Sequence, residues 1–584
     1  MGIFENLQRR AAKSGLAPKL IASLRYLSLI AALAGIVWLL VLPIDGQYRK
    51  TYISENALLP AQARTYFRES EWNIVRGYRE EVNMLETASP EQRSQAIVEW
   101  MDDIGLKTSV HHWEVAHPGH KNESLSGTNV YGILHSPRGG HAEAMVLTAP
   151  WINKDYQFNG GGVALVVALA RYFHKWSIWS KNIIFVVSSD SQFSLRSWIS
   201  AYHTSLPNTA GSIEGAVVLD YPDKSDYLDS VEIFYEGLNG QLPNLDLINT
   251  AVIISNHEGL KVFIQGMISA GFNIYKERVQ TLFRGILAQL VAGIGPGPGS
   301  ENFSGWRIDS ITLRARGTAG PMDITTFGRI AESLFRSINN LLEHFHQSFF
   351  FYFLLSPRKF VSIGTYLPAA MLLANSFLLI AVYNLVMTTK RDFQTIIFVP
   401  GIILAVVVAT SQLFGYVSLL IESKSVFPFV ISGGVVFSLG VPSAIKLLTG
   451  KNTFSVSTLL SLHSLTMILY SLFLTTLSTL NFSLSFCLGL VTIPLAWIRP
   501  GMPLYKSIIL LTISSPWVGL VILSAIKELP PHELILSLVW AWRGLQVWTW
   551  GIITGIWLPV WLVCVVVASA PTPAPAPQTE KKAS

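Results

Sequence analysis

Uncharged apolar runs decide most of what this chain can fold into. Tyr26–Leu42 carries no charge and almost no polar side chain, and from about Tyr366 to Ala568 such runs dominate again. Between them, Pro43 to about Leu355 reads as ordinary soluble protein. A bilayer core of about 30 Å is crossed by roughly 20 apolar residues in a helix, and several of these runs reach that length. The order predicts one span, a globular block and a long membrane zone, with the block held to the bilayer at both ends. Charged residues are 14% of the chain, against about 25% in a typical soluble protein. The net charge of +6 gathers beside the apolar runs, so it is no nucleic-acid signal.

Arg9, Arg10, Lys13, Lys19 and Arg25 precede the first run. That run is long for a signal-peptide core, and no small-x-small cleavage site follows it, which favours an uncleaved anchor. Basic residues mark the cytoplasmic side, which puts the globular block in the lumen. Seven later spans are expected at about Tyr366–Met387, Thr395–Ile421, Ser425–Ala444, Phe454–Leu477, Phe482–Ile498, Ile508–Ile526 and Gln546–Ser569. Eight spans with both termini cytoplasmic fit the charge of the connecting loops. The expected organisation is a cytosolic start (1–25), a first span (26–42), a lumenal domain (43–360), a seven-span bundle (366–569) and a cytosolic tail (570–584). The tail ends Lys581-Lys582-Ala583-Ser584, which resembles a retrieval signal for the endoplasmic reticulum (ER).

Within the block, helical patterns at Ala61–Leu85 and Pro90–Ile104 precede an α/β alternation. Strands are expected at Ser109–Val115, Asn129–Leu134, Met145–Thr148, Ile183–Val187, Ala216–Asp220, Val231–Tyr235 and Ile311–Arg314. Helices are expected at Gly162–Phe173, Ser194–His203, Leu245–Asn256, Arg278–Leu290 and Ile324–His346. Short apolar strands between amphipathic helices imply one α/β domain with a sheet covered on both faces. Ala292–Ser300, AGIGPGPGS, reads as a surface connection.

The only cysteines, Cys487 and Cys564, fall inside expected spans, so the block holds no thiol nucleophile. His111, His112, His117 and His120 invite a zinc reading, but no thiolate joins them and no helical ligand spacing occurs. A polar strand end and a Pro118-Gly119 turn explain them more simply. Sequons stand at Asn122 and Asn302. His463 inside a span reads as a hydrogen bond to a neighbouring helix. Span interiors almost free of ionisable residues argue against a proton-coupled transporter. A lipid transporter or scramblase with a lumenal domain stays open.

MVLTAPW, FNGGGVALVVALARYF, KNIIFVVSSDSQ and LRSWISAYH, in order from Met145 to His203, resemble the strand–helix–strand–helix core of co-catalytic zinc aminopeptidases. The resemblance implies metal ligands at positions that here hold Pro150, Ile152, Phe158, Asp190, Ser191, Asp220 and Asn302. The two remnant carboxylates, Asp190 and Asp220, are too few for a pair of hard cations. The expectation is a metal-free fold without catalytic residues or cofactor.

TYISENALLP, SGTNVYGIL, EGLNGQLPNLDL, LLEHFHQSFFFYFLL and RKFVSIGTYLP together resemble the GPI-anchor attachment proteins, the large multispanning subunit of GPI transamidase. That resemblance implies an ER-membrane subunit acting beside a caspase-like cysteine protease subunit, on a GPI lipid and on precursor proteins with C-terminal GPI signals. Tyr52, Ser54, Glu55 and Asn56 come soon after the first span, and Gln347 and Ser348 shortly before the second. These hydroxyl, amide and carboxylate groups are the expected contacts to the GPI head group. Pro559, inside the Trp-rich last span with Trp548, Trp550, Trp557 and Trp561, is expected to kink it, which either serves helix packing or opens a slot for acyl chains. The rival expectation is a metal-dependent, peptidase-like enzyme that itself forms the amide bond to GPI.

Overall fold

The computed structural model describes residues 16–62, 65–116, 124–267, 274–388, 397–401, 403–405, 408, 440–445, 447 and 454–570. His117, His120, Asn122, Lys581 and Lys582, and most of the spans expected at 395–421 and 425–444, lie outside them. The chain divides into two compact units: residues 40–366 with 543–547, and residues 1–39, 367–542 and 548–584.

The first unit is globular. Its strands are β1 (Arg49–Lys50), β2 (Lys107–Ala116), β3 (Ser124–Leu134), β4 (Glu143–Ile152), β5 (Asn182–Asp190), β6 (Ser212–Asp220), β7 (Tyr227–Leu228), β8 (Ser230–Phe234), β9 (Lys261–Ile264), β10 (Asp309–Arg316), β11 (Met322–Asp323), β12 (Tyr352–Ser356) and β13 (Lys359–Ser362). Eight of them form one sheet in the order β2-β3-β5-β4-β6-β10-β8-β9. Its centre, β5-β4-β6-β10, is parallel, and β2 and β3 close one side antiparallel. The central strands are Val/Ile/Leu-rich and buried, as a sheet covered on both faces requires. One face packs under Gly160–His174 and Ile324–Asn339, and the other under Phe193–Thr204.

Local chemistry sets the helix ends. Ser89 and Gln92 form a reciprocal capping box, Pro90 occupies the first turn, and Gly105 ends the helix with φ of 89°. Helix Gly160–His174 is apolar almost all round and starts where Asn159 accepts from the Gly162 amide at 3.2 Å. Gly162 must lack a side chain, because a Cβ there would sit 2.7 Å from the Leu219 carbonyl oxygen. The helix expected from Ile324 to His346 stops at Asn339, and β1, β9, β12 and β13 were not legible as strands. Ala292–Ser300 is no surface connection. It is half-buried to buried, and Gln192, Ser191 and Thr312 side chains donate to its Gly295, Gly297 and Pro298 carbonyls at 2.8, 2.8 and 3.0 Å.

The second unit is helical. Among the described residues of the whole chain, five helices are long and apolar enough to cross a membrane: Ile21–Val41, Ile363–Val386, Val456–Leu480, Leu504–Lys527 and Thr549–Ala568. The fourth is broken into Leu504–Ile513 and Pro516–Lys527. Pro531–Gly544, expected as a loop, is also helical. Gly35 lets the first helix approach residues 369–373, where a Cβ would stand 2.6 Å from the Ala369 oxygen. His463 bonds the Leu495 carbonyl at 2.9 Å and faces Asn384 at 3.4 Å, so it ties helices together as its sequence position implied.

Candidate functional site

The C-terminal ends of parallel strands are where α/β sheets carry ligands. Here a cleft of about 440 Å³ opens beside β4, β6 and β10, lined among others by Asn83, Tyr156, Phe158, Lys224, Arg314 and Arg316. Asp220 ends β6 opposite Arg314 of β10. The buried Arg314 guanidinium lies 3.3 Å from Asp220 Oδ2, pairs with Asp155, and donates to Gln157 at 3.0 Å. Asn153 Nδ2 donates to the other Asp220 oxygen at 3.0 Å. Burial pushes the Asp220 carboxyl above its usual range, against the pull of Arg314 and Asn153. Lys154 lies 3.8 Å from the Phe234 ring centroid, its amine pushed down by burial. A fixed organic cation thus sits on the carboxylate that a metal would need.

The other chelating positions are equally unsuited. Asp190 stands opposite Ile152, but its carboxylate caps helix Phe193–Thr204, accepting from the Gln192 amide at 2.8 Å and the Ser194 amide at 3.2 Å. Pro150 pairs with Ser188 inside the sheet. Phe158 stacks on Trp151, with Arg93 over both rings. Ser191 donates to the Gly297 carbonyl at 2.8 Å. Asn302 is wholly buried and its amide donates to Ser191 O at 2.8 Å and Gly299 O at 3.0 Å. The same burial leaves no room for a glycan at Asn302 in the folded chain, which speaks against that sequon. Among the described residues, no three His, Cys, Asp or Glu side chains converge to hold a metal. The groups present do not fit a two-cation centre. His111 and His112 bond Asn129 and Thr128 at 3.2 Å each across β2 and β3, the strand role their pattern suggested.

The structure brings the two segments named as head-group contacts together. Buried Asp246, in helix Leu245–His257, accepts from the Ser54 and Glu55 amides at 2.8 Å each. Asn249, in the same helix, donates to the Tyr52 carbonyl at 2.9 Å. Glu55 is buried, and one carboxylate oxygen accepts from the His346 and Gln347 amides at 2.9 and 2.8 Å. Burial raises the Asp246 carboxyl, partly offset by the Glu55 and Ser54 amides. Glu55 therefore joins the segments, while Tyr52, Asn56 and Gln347 remain exposed beside it. Neither Asp246 nor Arg314 stood out in the sequence. A carboxylate two residues after Asn244, in the Asn-Leu-Asp of EGLNGQLPNLDL, was the one available signal for Asp246.

Pro559 lies apart, at the start of helix Leu558–Ala568, just after a π-helical turn at Ile553–Trp557. Trp557 and Trp561 are buried. Their indole N–H groups donate to Ser514 O at 3.0 Å and Leu511 O at 2.9 Å, carbonyls beside the break in Leu504–Lys527.

Comparison with known proteins agrees with the family resemblance. A family model described as "Gaa1-like, GPI transamidase component" matches residues 126–565. The chain is 39% identical over 613 residues to the GPI transamidase component GAA1 of Saccharomyces cerevisiae, covering 96% of this chain and 97% of that one. It is 32% identical over 505 residues to the GPI transamidase component gaa1 of Schizosaccharomyces pombe, covering 82% and 83%. Among solved structures it is similar to a zinc aminopeptidase from Bacillus subtilis, with TM-score 0.31, 9% identity and coverage of 47% of this chain and 95% of that one. It is also similar to a Bacteroides thetaiotaomicron glutaminyl cyclase, with TM-score 0.31, 12% identity and coverage of 46% and 97%.

Proposed function

The chain belongs to the Gaa1-like family of GPI transamidase components, and from that premise we propose that it is a non-catalytic subunit. It binds the GPI lipid and presents it, with the precursor protein, to a separate caspase-like cysteine protease subunit. It does so in the ER membrane, with the globular unit in the lumen. The observation that carries the non-catalytic part is the Asp220–Arg314 pair. Where metal-assisted bond-making would require open anionic ligands, this cleft holds a guanidinium with its own carboxylates.

The binding role rests on residues 52–56 and 347–348. Asp246 and Glu55 fix the backbones of both segments through buried, charge-assisted hydrogen bonds. That leaves the side chains of Tyr52, Asn56 and Gln347 exposed, with Ser54 and Ser348 half-buried. Such hydroxyl and amide groups can hold phosphate oxygens and an ammonium in a fixed position, which lowers the entropic barrier of the transfer they do not themselves perform. Pro559, just after the π-helical turn at Ile553–Trp557, serves the acyl chains in this reading.

The test is photocrosslinking of a reactive GPI to the assembled complex, with the adducts mapped to residues. Adducts at residues 52–56 or 347–348 are expected. Adducts confined to other subunits, or undiminished GPI attachment in cells lacking this chain, would overturn the proposal.

A further inference from the structure

The two exits of the globular unit carry a concentration of positive charge that the reading above does not use. Val41 ends the first candidate span, and Ile363 begins the next. β1 leaves the first helix end and pairs antiparallel with β13, which leads into the second. Within that short ladder Lys50 stands directly opposite Lys359. Arg49 is beside Lys50, and Arg358 lies at the tip of the β12–β13 hairpin, where its carbonyl accepts from the Thr51 amide at 3.0 Å. Arg49, Lys50 and Arg358 are exposed, and Lys359 is half-exposed with its amine 5.1 Å from the Tyr48 ring centroid.

The opposing charge is small. Asp45 accepts a hydrogen bond from Tyr48 and lies near Lys359, but it also pairs with buried Arg278. Glu55 is engaged by backbone amides. Among the described residues, Arg49, Lys50 and Arg358 have no carboxylate within ion-pair distance. Like charges directly opposite in a ladder destabilise it, so this arrangement calls for an anion from outside the chain. Distance along the backbone limits which anion. Lys359 is four residues from Ile363, at most about 14 Å of extended chain. At that distance from a span the abundant anions are the phosphates of lipid head groups, which a lysine ammonium can meet as a point charge.

We propose that Lys50 and Lys359, with Arg358 at the hairpin tip, form a juxtamembrane collar that binds the phosphodiester of an anionic membrane lipid. The inference deepens the reading above and rests on it in one respect: an inositol phosphodiester is then the group the collar would meet in a GPI lipid. Lys50 and Lys359 flank the phosphate from the two strands. Arg358, in the turn beside Lys359, brings planar donors that suit phosphate oxygens, while Arg49 faces the other side of the ladder with Phe360 and adds only longer-range attraction.

The test uses the full chain in its complex, purified in neutral detergent, with native mass spectrometry of added lipid. The probes are phosphatidylinositol, diacylglycerol with the same acyl chains, and inorganic phosphate. The Lys50→Gln, Lys359→Gln double variant loses two exposed ion pairs to the phosphate and is expected to retain phosphatidylinositol about thirty-fold less well than the parent. A Lys261→Gln control, at the exposed first residue of β9, is expected to retain it equally. Diacylglycerol should be held by neither, and inorganic phosphate should not displace the lipid. In lipid-free detergent the double variant should unfold at the same temperature as the parent or higher, since a repulsion has been removed. Equal retention by parent and double variant would overturn the proposal. So would displacement by inorganic phosphate, or loss of lipid accompanied by a lower unfolding temperature. GPI crosslinking to residues 52–56 and 347–348 is read separately, so the collar can fail while the subunit assignment stands.

Discussion

Asp309, at the start of β10, shows how a single buried carboxyl makes this fold pH-sensitive. Burial pushes its pKa up to about 7, although the Asn244 amide donates to it at 2.7 Å. In the unfolded chain the same group titrates near about 3.9. The folded state therefore holds the proton to higher pH, and the stability this group contributes is whole below about pH 4 and lost as pH rises through about 7. Asp309→Asn keeps an acceptor for Asn244 and removes the titration. The parent's unfolding free energy relative to that variant should fall by a few kcal/mol, roughly 1.4 per pKa unit, between about pH 4 and pH 7. Denaturation of the full chain in detergent across that range checks it, and a pH-independent difference would refute it. Residue-level roles of this kind were scarcely legible beforehand. Glu55 read as a ligand contact, yet its carboxylate holds the His346 and Gln347 amides, a pairing across 291 residues that no local pattern encodes.

Elements were legible where their signals are local. The helix Pro90–Ile104 shows its cap, its first-turn proline and its terminal glycine in sequence, and the structure begins and ends it there. The expected strands fall within β2, β3, β4, β5, β6 and β10, with β8 offset by one residue, since buried β-branched runs announce themselves. β12 was missed because FFFYFLL reads equally as helix or strand, and only its pairing with the four-residue β13 decides between them. The span expected at Ile508–Ile526 conceals a break at Ser514–Ser515, and the apolar average hides it. Trp557 braces that break, its ring lying against Gly519 while its N–H reaches Ser514 O. A Cβ on Gly519 would run into the ring, so Gly519→Ala should displace Trp557 and leave the Ser514 carbonyl without its donor. The expected cost is about 1–3 kcal/mol, read as a lowered unfolding temperature in detergent. Gly555→Ala, with open space around its Cα, is the control that should change little. If both variants unfold alike, the brace is not what holds the break.

For the whole molecule, the globular unit combines a mixed α/β sheet of the kind its sequence suggested with a cleft where a buried carboxylate faces a guanidinium. That pairing has a thermodynamic signature that does not depend on finding a substrate. A native-state site for zinc with micromolar affinity would stabilise the folded chain by RT ln(1 + [L]/Kd), about 2.7 kcal/mol at a hundred-fold excess over Kd. Here Asp220 is held by Arg314 and Asn153, Asp190 caps a helix, and Phe158 and Ile152 offer no lone pairs. Binding a metal would first require breaking a buried ion pair, which costs about 3–5 kcal/mol when one partner is left alone. A cost of that size weakens the apparent Kd by a factor of about 100 or more, which leaves almost no stabilisation at the same zinc concentration. The full chain in its complex should therefore show the same unfolding temperature with added zinc, with a strong chelator, and with neither. Stoichiometric zinc that survives purification and whose removal lowers both stability and GPI attachment would instead place chemistry in this unit. In that event Arg314→Ala should strengthen zinc binding, since it frees Asp220. On the reading argued here the same variant only loses stability and gains no metal.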